Sequence, residues 1–446
     1  MKYRNSEFQP DIVPGRAKQE GDIRDRWSWV EPSVWTERML AALEKGVKGN
    51  KWFSLIDKVY SMENLQASAR AVIRNKGSAG ADHQTVEMFA TRISANLLSL
   101  QRKIKDDTWK PGKIRRVWIP KPGRGRKMRP LGIPTIRDRV VQTALRNVIE
   151  PIFENEFAEH SYGFRPGRGC KDALRRVDQL LKAGYGWVVD ADIAGYFDSI
   201  SHDKLMLMIE EKIADGRVLK LVRQYLEQEI METAGSWTPE RGTPQGAIIS
   251  PLLSNIFLDP LDKLMAKRGY EMVRYADDFV VLCKSEEEAQ KALREIAEWI
   301  NTRELSLHPD KTGIIDTSRP GGFNFLGYYF YNNKRRPSRK SRDKLRDTLR
   351  MKTRRSNGNS LEYIIIDVNI TLKGWFNYFQ HSNKWSLLDI DRWVRMRLRS
   401  ILRKRAGLKG RGRGRDHQRW TNDFFAQAGL FSMMAAWTKA SQSVKR

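Results

Sequence analysis

Two adjacent carboxylates, Asp277 and Asp278, stand between two apolar runs, Met272–Tyr275 and Phe279–Cys283. No other feature constrains the fold of this chain as tightly. Two short apolar runs with so brief a connection read as the strands of a tight β-hairpin. Asp is common in turns, so turn chemistry is one reading of the doublet. Yet adjacent carboxylates repel, and apolar flanks raise the cost of their charge, so a cation is expected beside them. Upstream, Trp187-Val-Val-Asp-Ala-Asp192 reads as a strand with Asp190 and Asp192 on one face. Asp192 beside the doublet would complete a three-acid set suited to hard divalent cations, which prefer oxygen ligands.

The flanking segments supply a scaffold. Ser250-Pro251 is expected to open a helix as N-cap and first residue, with Leu253, Phe257, Leu261 and Leu264 recurring at helical spacing. Ser285-Glu-Glu-Glu288 reads as a capping box, followed by Leu293, Ile296 and Ile300 on one face. A further β pair is expected from Phe323 to Tyr331. Strand, helices, hairpin, helix, strand is the order of a small antiparallel sheet backed by helices, so the expected class is α+β with a ferredoxin-like centre.

Charge then points to the partner. Among 446 residues, 81 Lys and Arg face 53 Asp and Glu, a net +28, so a polyanion such as RNA or DNA is the default ligand. With three acids and a polyanion, the fitting reaction is two-metal phosphoryl or nucleotidyl transfer. A hydrophobic content of 40% supports packed cores. Cys170 and Cys283 cannot form a disulfide framework or a four-Cys zinc site, which fits a reducing compartment. The six histidines show no metal-ligand spacing. The N-terminus lacks a signal-peptide core, and the longest uncharged stretch, Gly242–Leu258, contains Pro244, Gly246 and Pro251, so no membrane partner is expected. Lys334–Arg355 carries twelve cations against two Asp, and Arg392–Arg415 eleven against none. Residues 1–48 are read as an N-terminal extension, 49–332 as the catalytic part and 333–446 as a basic helical module. Around Arg392–Arg405, Val394, Leu398 and Ile401 line one helical face while Arg395, Arg399 and Arg403 step along another, the expected RNA-binding side chains. The alternative for such a charge run is a solvated face.

Further motifs resemble one family in order. Tyr275-Ala-Asp-Asp278 resembles the YxDD hairpin of reverse transcriptases, Asp192-Ile-Ala-Gly-Tyr-Phe-Asp198 their first catalytic motif, and Gly242-Thr-Pro-Gln-Gly-Ala-Ile-Ile-Ser-Pro251 their template- and nucleotide-contacting motif. Asn75-Lys-Gly-Ser-Ala-Gly-Ala-Asp82, Ile119-Pro-Lys-Pro122 with Arg129-Pro-Leu-Gly-Ile-Pro134, His160-Ser-Tyr-Gly-Phe-Arg-Pro166, Leu326-Gly327, Gly374-Trp-Phe-Asn-Tyr-Phe379 and Gly429-Leu-Phe-Ser432 are similar to blocks of group II intron-encoded reverse transcriptases with maturase function. Three departures stand out. His83 occupies a position where Gly is expected, Ala247 one where a second Gly is commoner, and Gly123-Arg-Gly-Arg126 lengthens the fingertip loop.

The resemblance implies a right-hand polymerase, with fingers, a ferredoxin-like palm and a helical thumb and maturase domain. It implies that Asp192, Asp277 and Asp278, with the Ile193 carbonyl, hold two Mg²⁺ ions. It further implies that Lys121 and Arg129 clamp the incoming triphosphate, Phe197 crowds the sugar's 2′ position, Gln245 borders the nascent base pair, and Lys311 protonates the departing pyrophosphate. For Phe197 a plain core role and for Lys311 a surface role are the alternatives. Partners so implied are structured intron RNA, an RNA template, a DNA primer or target and dNTPs, in a cytoplasmic ribonucleoprotein; a homodimer stays open. No cysteine follows Cys283, so a Cys/His-containing endonuclease is not expected. The rival functions are a domesticated reverse transcriptase in defence or repair, and a non-enzymatic splicing factor or RNA chaperone.

Overall fold

The computed structural model describes residues 23–120, 128–232, 235–410, 412 and 414–443. Eleven strands occur among them: β1 (Ile114–Pro120), β2 (Met128–Ile133), β3 (Trp187–Asp192), β4 (Ile230–Glu232), β5 (Gly235–Trp237), β6 (Glu271–Tyr275), β7 (Asp278–Cys283), β8 (Gly313–Asp316), β9 (Phe323–Phe325), β10 (Tyr328–Tyr331) and β11 (Lys334–Pro337). They form three sheets, ordered β2-β1-β4-β5, β6-β7-β3-β8 and β11-β10-β9. The chain divides into two compact units, the second beginning at Ile315.

In the first unit the central sheet carries the expected ferredoxin-like plan. Its chain order reduces to βαββαβ: β3 is followed by helices that include Ser250–Lys267 and by the inserted β4 and β5, then by β6, β7, the helix Glu286–Thr302 and β8. The spatial order places β7 and β3 at the centre. On β3, Val189 and Ala191 are fully buried in the core, whereas Asp190 and Asp192 lie on the opposite face, where Val188 is fully buried as well. The helix Ser250–Lys267 packs with Leu253, Phe257 and Leu261, and the helix Glu286–Thr302 with Ala289, Ala292, Ile296 and Ile300, all in the same core. The expected caps differ in detail. Ser250 lies inside the first turn and its hydroxyl donates to the Pro244 carbonyl, at 2.9 Å, instead of capping. Ser285 accepts from the Glu288 N–H, at 3.2 Å, but the Glu288 carboxylate reaches back one residue further, to the Lys284 N–H, at 2.8 Å.

Residues 23–48 contribute to this core through Trp27, Val34, Trp35, Leu40 and Leu43. The Trp35 indole donates to the Asn147 carbonyl at 3.0 Å, which ties the segment to the helix Ile136–Glu154. The sheet β2-β1-β4-β5 is antiparallel at β1/β2 and parallel at β1/β4.

The second unit has its own core, built from Leu345, Leu349, Ile364, Ile365, Val368, Leu372, Leu387, Ile390, Val394, Leu398 and Ile401 on the helices Arg339–Lys352, Leu361–Phe379 and Lys384–Arg405. Its small sheet extends the expected β pair by a third strand, β11. The turn into β11 uses Asn332 and Asn333, both at positive φ, the geometry that Asn tolerates best after Gly. The preceding turn, Leu326-Gly327, also has positive φ at both residues. Hydrogen bonds hold it from several sides: the Tyr378 hydroxyl donates to Leu326 O (2.8 Å), while Ser338 N and Ser341 Oγ donate to Gly327 O (2.9 Å each). No helix of the described residues is long and apolar enough to cross a membrane.

Candidate active site

The central hairpin brings the sequence-distant acids together. β3 and β7 pair antiparallel with Asp192 opposite Asp278, and β6 and β7 close with Tyr275 opposite Asp278, leaving Ala276 and Asp277 as a two-residue turn. Asp192, Asp277 and Asp278 are half-buried. Burial raises the Asp277 carboxyl above its ordinary value and the neighbouring Asp192 adds to this, while Arg129 and Arg274 pull it back down. Asp190, one strand step behind, is pushed up to about 6 by burial and by Asp192. In both carboxyls burial is the larger cause, and a nearby cation would favour their charged forms. Lys311 supplies one cation, its ammonium donating to an Asp192 oxygen.

Among the described residues no three His, Cys, Asp or Glu side chains are gathered tightly enough to hold an ion by themselves. Mg²⁺ commonly takes only one or two carboxylates and completes its shell with water and substrate phosphate, so three oxygen donors on one tip fit such an ion, although no closed protein cage exists. The Ile193–Leu307 bridge is made by hydrogen bonds from Ala194 N to Ser306 O (2.8 Å) and from His308 N to Asp192 O (2.7 Å). That pattern leaves the Ile193 carbonyl outside the bridge.

The turn itself is clamped by residues that sequence reasoning missed. Ala276 adopts φ +60°, a conformation that disfavours a side chain. Arg274, 1% exposed, donates from Nη1 to the Ala276 carbonyl and to Asn255 Oδ1, both at 2.9 Å, and makes a bidentate pair with Asp262 at 2.5–3.0 Å. Burial alone would lower the Arg274 guanidinium, but Asp262 outweighs it and holds the group above its ordinary value. Asn255 in turn donates to the Gly163 carbonyl at 2.8 Å. A Cβ on Gly163 would come within 2.2 Å of the Ala276 nitrogen, so only glycine lets the His160–Pro166 segment press on the turn. The one signal in the sequence was a lone Arg inside an apolar run.

The other expected residues are distributed as follows. Arg129, on β2, is exposed yet near enough to lower Asp277. Phe197 is half-buried, its ring edge-on to Tyr196 at 5.4 Å, and its carbonyl accepts from Thr243 N at 2.7 Å. Gln245 docks on β2 through its carbonyl, which accepts from Gly132 N at 2.7 Å. Lys121 lies outside the described residues, as do Arg124, Arg126 and Lys127 of the fingertip loop.

In the second unit the expected basic face needs correction. Arg399 is 3% exposed: its Nε donates to Trp420 O (2.8 Å), its Nη2 to Asn422 Oδ1 (3.0 Å), and it lies over the Phe425 ring. A guanidinium so enclosed cannot meet phosphate. The segment Trp420–Phe425 covers a second side of the helix, which makes the buried arc wider than the apolar stripe alone. Arg403 is partly occupied by Asp416 (2.7 Å) and Lys409 O (2.8 Å), whereas Arg395 is half-exposed.

Comparison with known proteins gives the family. Residues 119–330 match the reverse transcriptase (RNA-dependent DNA polymerase) family model, and residues 342–420 the group II intron maturase-specific domain. The chain is 31% identical to protein YkfC of Escherichia coli over 343 residues, 68% of this chain and 85% of that protein. It is 31% identical to the group II intron-encoded protein LtrA of Lactococcus lactis subsp. cremoris over 292 residues, 51% of this chain and 48% of LtrA. With nuclear intron maturase 2, mitochondrial, of Arabidopsis thaliana it shares 27% identity over 284 residues, 52% of this chain and 38% of that protein. The chain thus spans about half the length of LtrA. A polymerase-type palm followed by a maturase-specific domain is the architecture both matches describe, and the chain belongs to the family of group II intron-encoded reverse transcriptases with maturase domains. Members of this class are RNA-directed DNA polymerases that depend on divalent metal and bind nucleic acid.

Proposed function

We propose that this chain copies intron RNA into cDNA by two-metal nucleotidyl transfer, and that its second unit binds structured intron RNA to assist splicing. The observation that carries the first half is the register of Asp192 opposite Asp278 at the tip of the central hairpin, with Asp277 in the turn beside them. In this reading Asp192, Asp277, Asp278 and the Ile193 carbonyl hold two Mg²⁺ ions. When bound, such ions lower the pKa of the primer 3′-hydroxyl and stabilise charge as pyrophosphate leaves. Arg129, with Lys121, binds the triphosphate as phosphate-seeking cations do. Phe197 selects dNTPs by crowding a 2′-hydroxyl, and Gln245 borders the base pair being formed. Lys311, which already reaches Asp192, donates a proton to the departing pyrophosphate.

For the splicing half, phosphate contacts from unit-two cations such as Arg395 give an affinity that falls steeply with salt. The substrates are an RNA template, a DNA primer and dNTPs; the splicing partner is folded intron RNA. Primer extension with Mg²⁺ and dNTPs on an RNA template tests the polymerase. Asp277→Asn is expected to abolish extension while RNA binding persists, and wild-type extension by that variant would overturn the assignment.

A further inference from the structure

On the face of the sheet β2-β1-β4-β5 a cavity of about 490 Å³ opens between the strands and the segment Thr238–Gln245. Its volume lies in the range of small-molecule sites, ample for a nucleotide. Arg116 lies in its wall, with its guanidinium 5.4 Å from the Trp118 ring and 5.0 Å from the Trp237 ring. Glu232 steadies it at 3.4 Å. Trp118 is 52% exposed and Trp237 39%, an unusual outlay for large rings on a strand surface. We infer that Trp118, Arg116 and Trp237 form a stacking platform for an unpaired nucleotide of the RNA template ahead of the site of synthesis.

Three observations select this occupant. Aromatic faces beside a guanidinium bind any base, as a template site must, because every base has a π-face. The +28 chain favours a polyanion over a neutral ligand. The cavity is also continuous with the proposed catalytic region: Gln245 and Asp198 line it, and Thr243, which lines it too, bonds the Phe197 carbonyl. The inference therefore rests on the polymerase reading, in which Gln245 borders the nascent pair.

The test uses the full chain and two primer–template duplexes, one with a single unpaired template nucleotide and one with ten. Fluorescence anisotropy gives the affinity of each. The longer overhang is expected to bind about tenfold tighter to the wild type, a usual scale for one stacked base. Trp237→Ala should bring that ratio towards one, and Trp237→Phe should restore it. An unchanged ratio in both Trp237→Ala and Trp118→Ala, including an equal loss on both duplexes, would overturn the platform. Primer extension by the wild type on the single-nucleotide overhang reports separately on the polymerase reading, and the anisotropy ratio decides the platform whatever that result.

Discussion

Arg274 and Arg399 are both enclosed guanidiniums, one in each unit, and they are compensated differently. Arg274 faces a carboxylate, Asp262, and spends its remaining N–H groups on Asn255 and on the turn that carries Asp277. Arg399 gives its hydrogen bonds to neutral oxygens, Trp420 O and Asn422 Oδ1, over the Phe425 ring, with the Asp416 carboxylate acting on it only as a lesser, through-space charge. Removing one member of a buried ion pair strands the other charge, whereas removing a cation from neutral acceptors strands dipoles. The first arrangement fixes one conformation of a strained turn; the second fastens a terminal segment to a helix.

The largest expected effect follows from breaking the ionic arrangement. Arg274→Met should cost about 3–5 kcal/mol of stability, since Asp262 is left buried and unpaired. The double variant Arg274→Met/Asp262→Leu should recover most of that loss in denaturant unfolding. It should still extend primers poorly, because the Ala276 carbonyl has lost its donor. Full activity in the stable double variant would show that the clamp supports the fold only.

Asp138 places a third buried charge at the neutral-partner end of the comparison. It closes the first turn of the helix Ile136–Glu154, accepting from Thr135 Oγ1 at 2.7 Å and from Gly112 N at 3.2–3.3 Å. Burial pushes its carboxyl up to about 7, against those hydrogen bonds. The folded state therefore holds an extra proton between about pH 4, where the unfolded group titrates, and pH 7. Stability from this group is greatest below that window and is lost as pH rises through it. Between pH 5 and pH 8 the wild type should lose about 2–3 kcal/mol relative to Asp138→Asn, followed as the difference in melting temperature. Parallel curves for the two proteins would sink this account.

The neutral arrangement around Arg399 should be milder to break. Arg399→Met is expected to cost about 1–2 kcal/mol, the scale of stranded carbonyl and amide oxygens. The salt dependence of RNA binding should keep its slope, because this side chain does not reach phosphate. Arg395→Ala should instead lower the slope by about one, with little change in stability. A slope that falls for Arg399→Met would restore it to the RNA surface.

This pair shows where the sequence was legible. β3 and the β6/β7 hairpin were readable to within a residue or two, because short apolar runs bounded by acids and a turn specify buried strands without help from distant residues. The convergence of Asp192 on Asp277 and Asp278 followed from the resemblance and from the chemistry of repelling acids. Arg399 misled because four-residue steps give a helical face but not what covers it, and Trp420–Phe425 is a tertiary partner. β11 was missed because Lys334-Arg-Arg-Pro337 has no apolar alternation, its pairing being set by the Asn332-Asn333 turn. The clamp of Arg274, Asp262, Asn255 and Gly163 was invisible for the same reason as Arg399: its meaning lies in hydrogen bonds across 12 to 92 residues of chain (Asp262 to Arg274, and Gly163 to Asn255).

The mildest expected effect contrasts two strained turns. Ala276 at φ +60° and His83 at φ +57° carry the same kind of backbone conformation. Ala276 is held by Arg274 and by Gly163, so its strain belongs to a turn locked for function. His83 is an exposed residue that closes the Asn75–Asp82 motif with a long 3.4 Å bond to Gly80 O, and it occupies the position where the family pattern has Gly. His83→Gly should therefore stabilise the protein by about 0.5–1 kcal/mol and leave primer extension alone, since relief of a positive φ outweighs the entropy that glycine adds to the unfolded chain. Ala276→Gly relieves the same strain yet frees the turn that carries Asp277, so its expected signature is lower extension at unchanged or raised melting temperature. Were both glycine variants to behave alike in extension, the clamp would have no bearing on how the acids are presented.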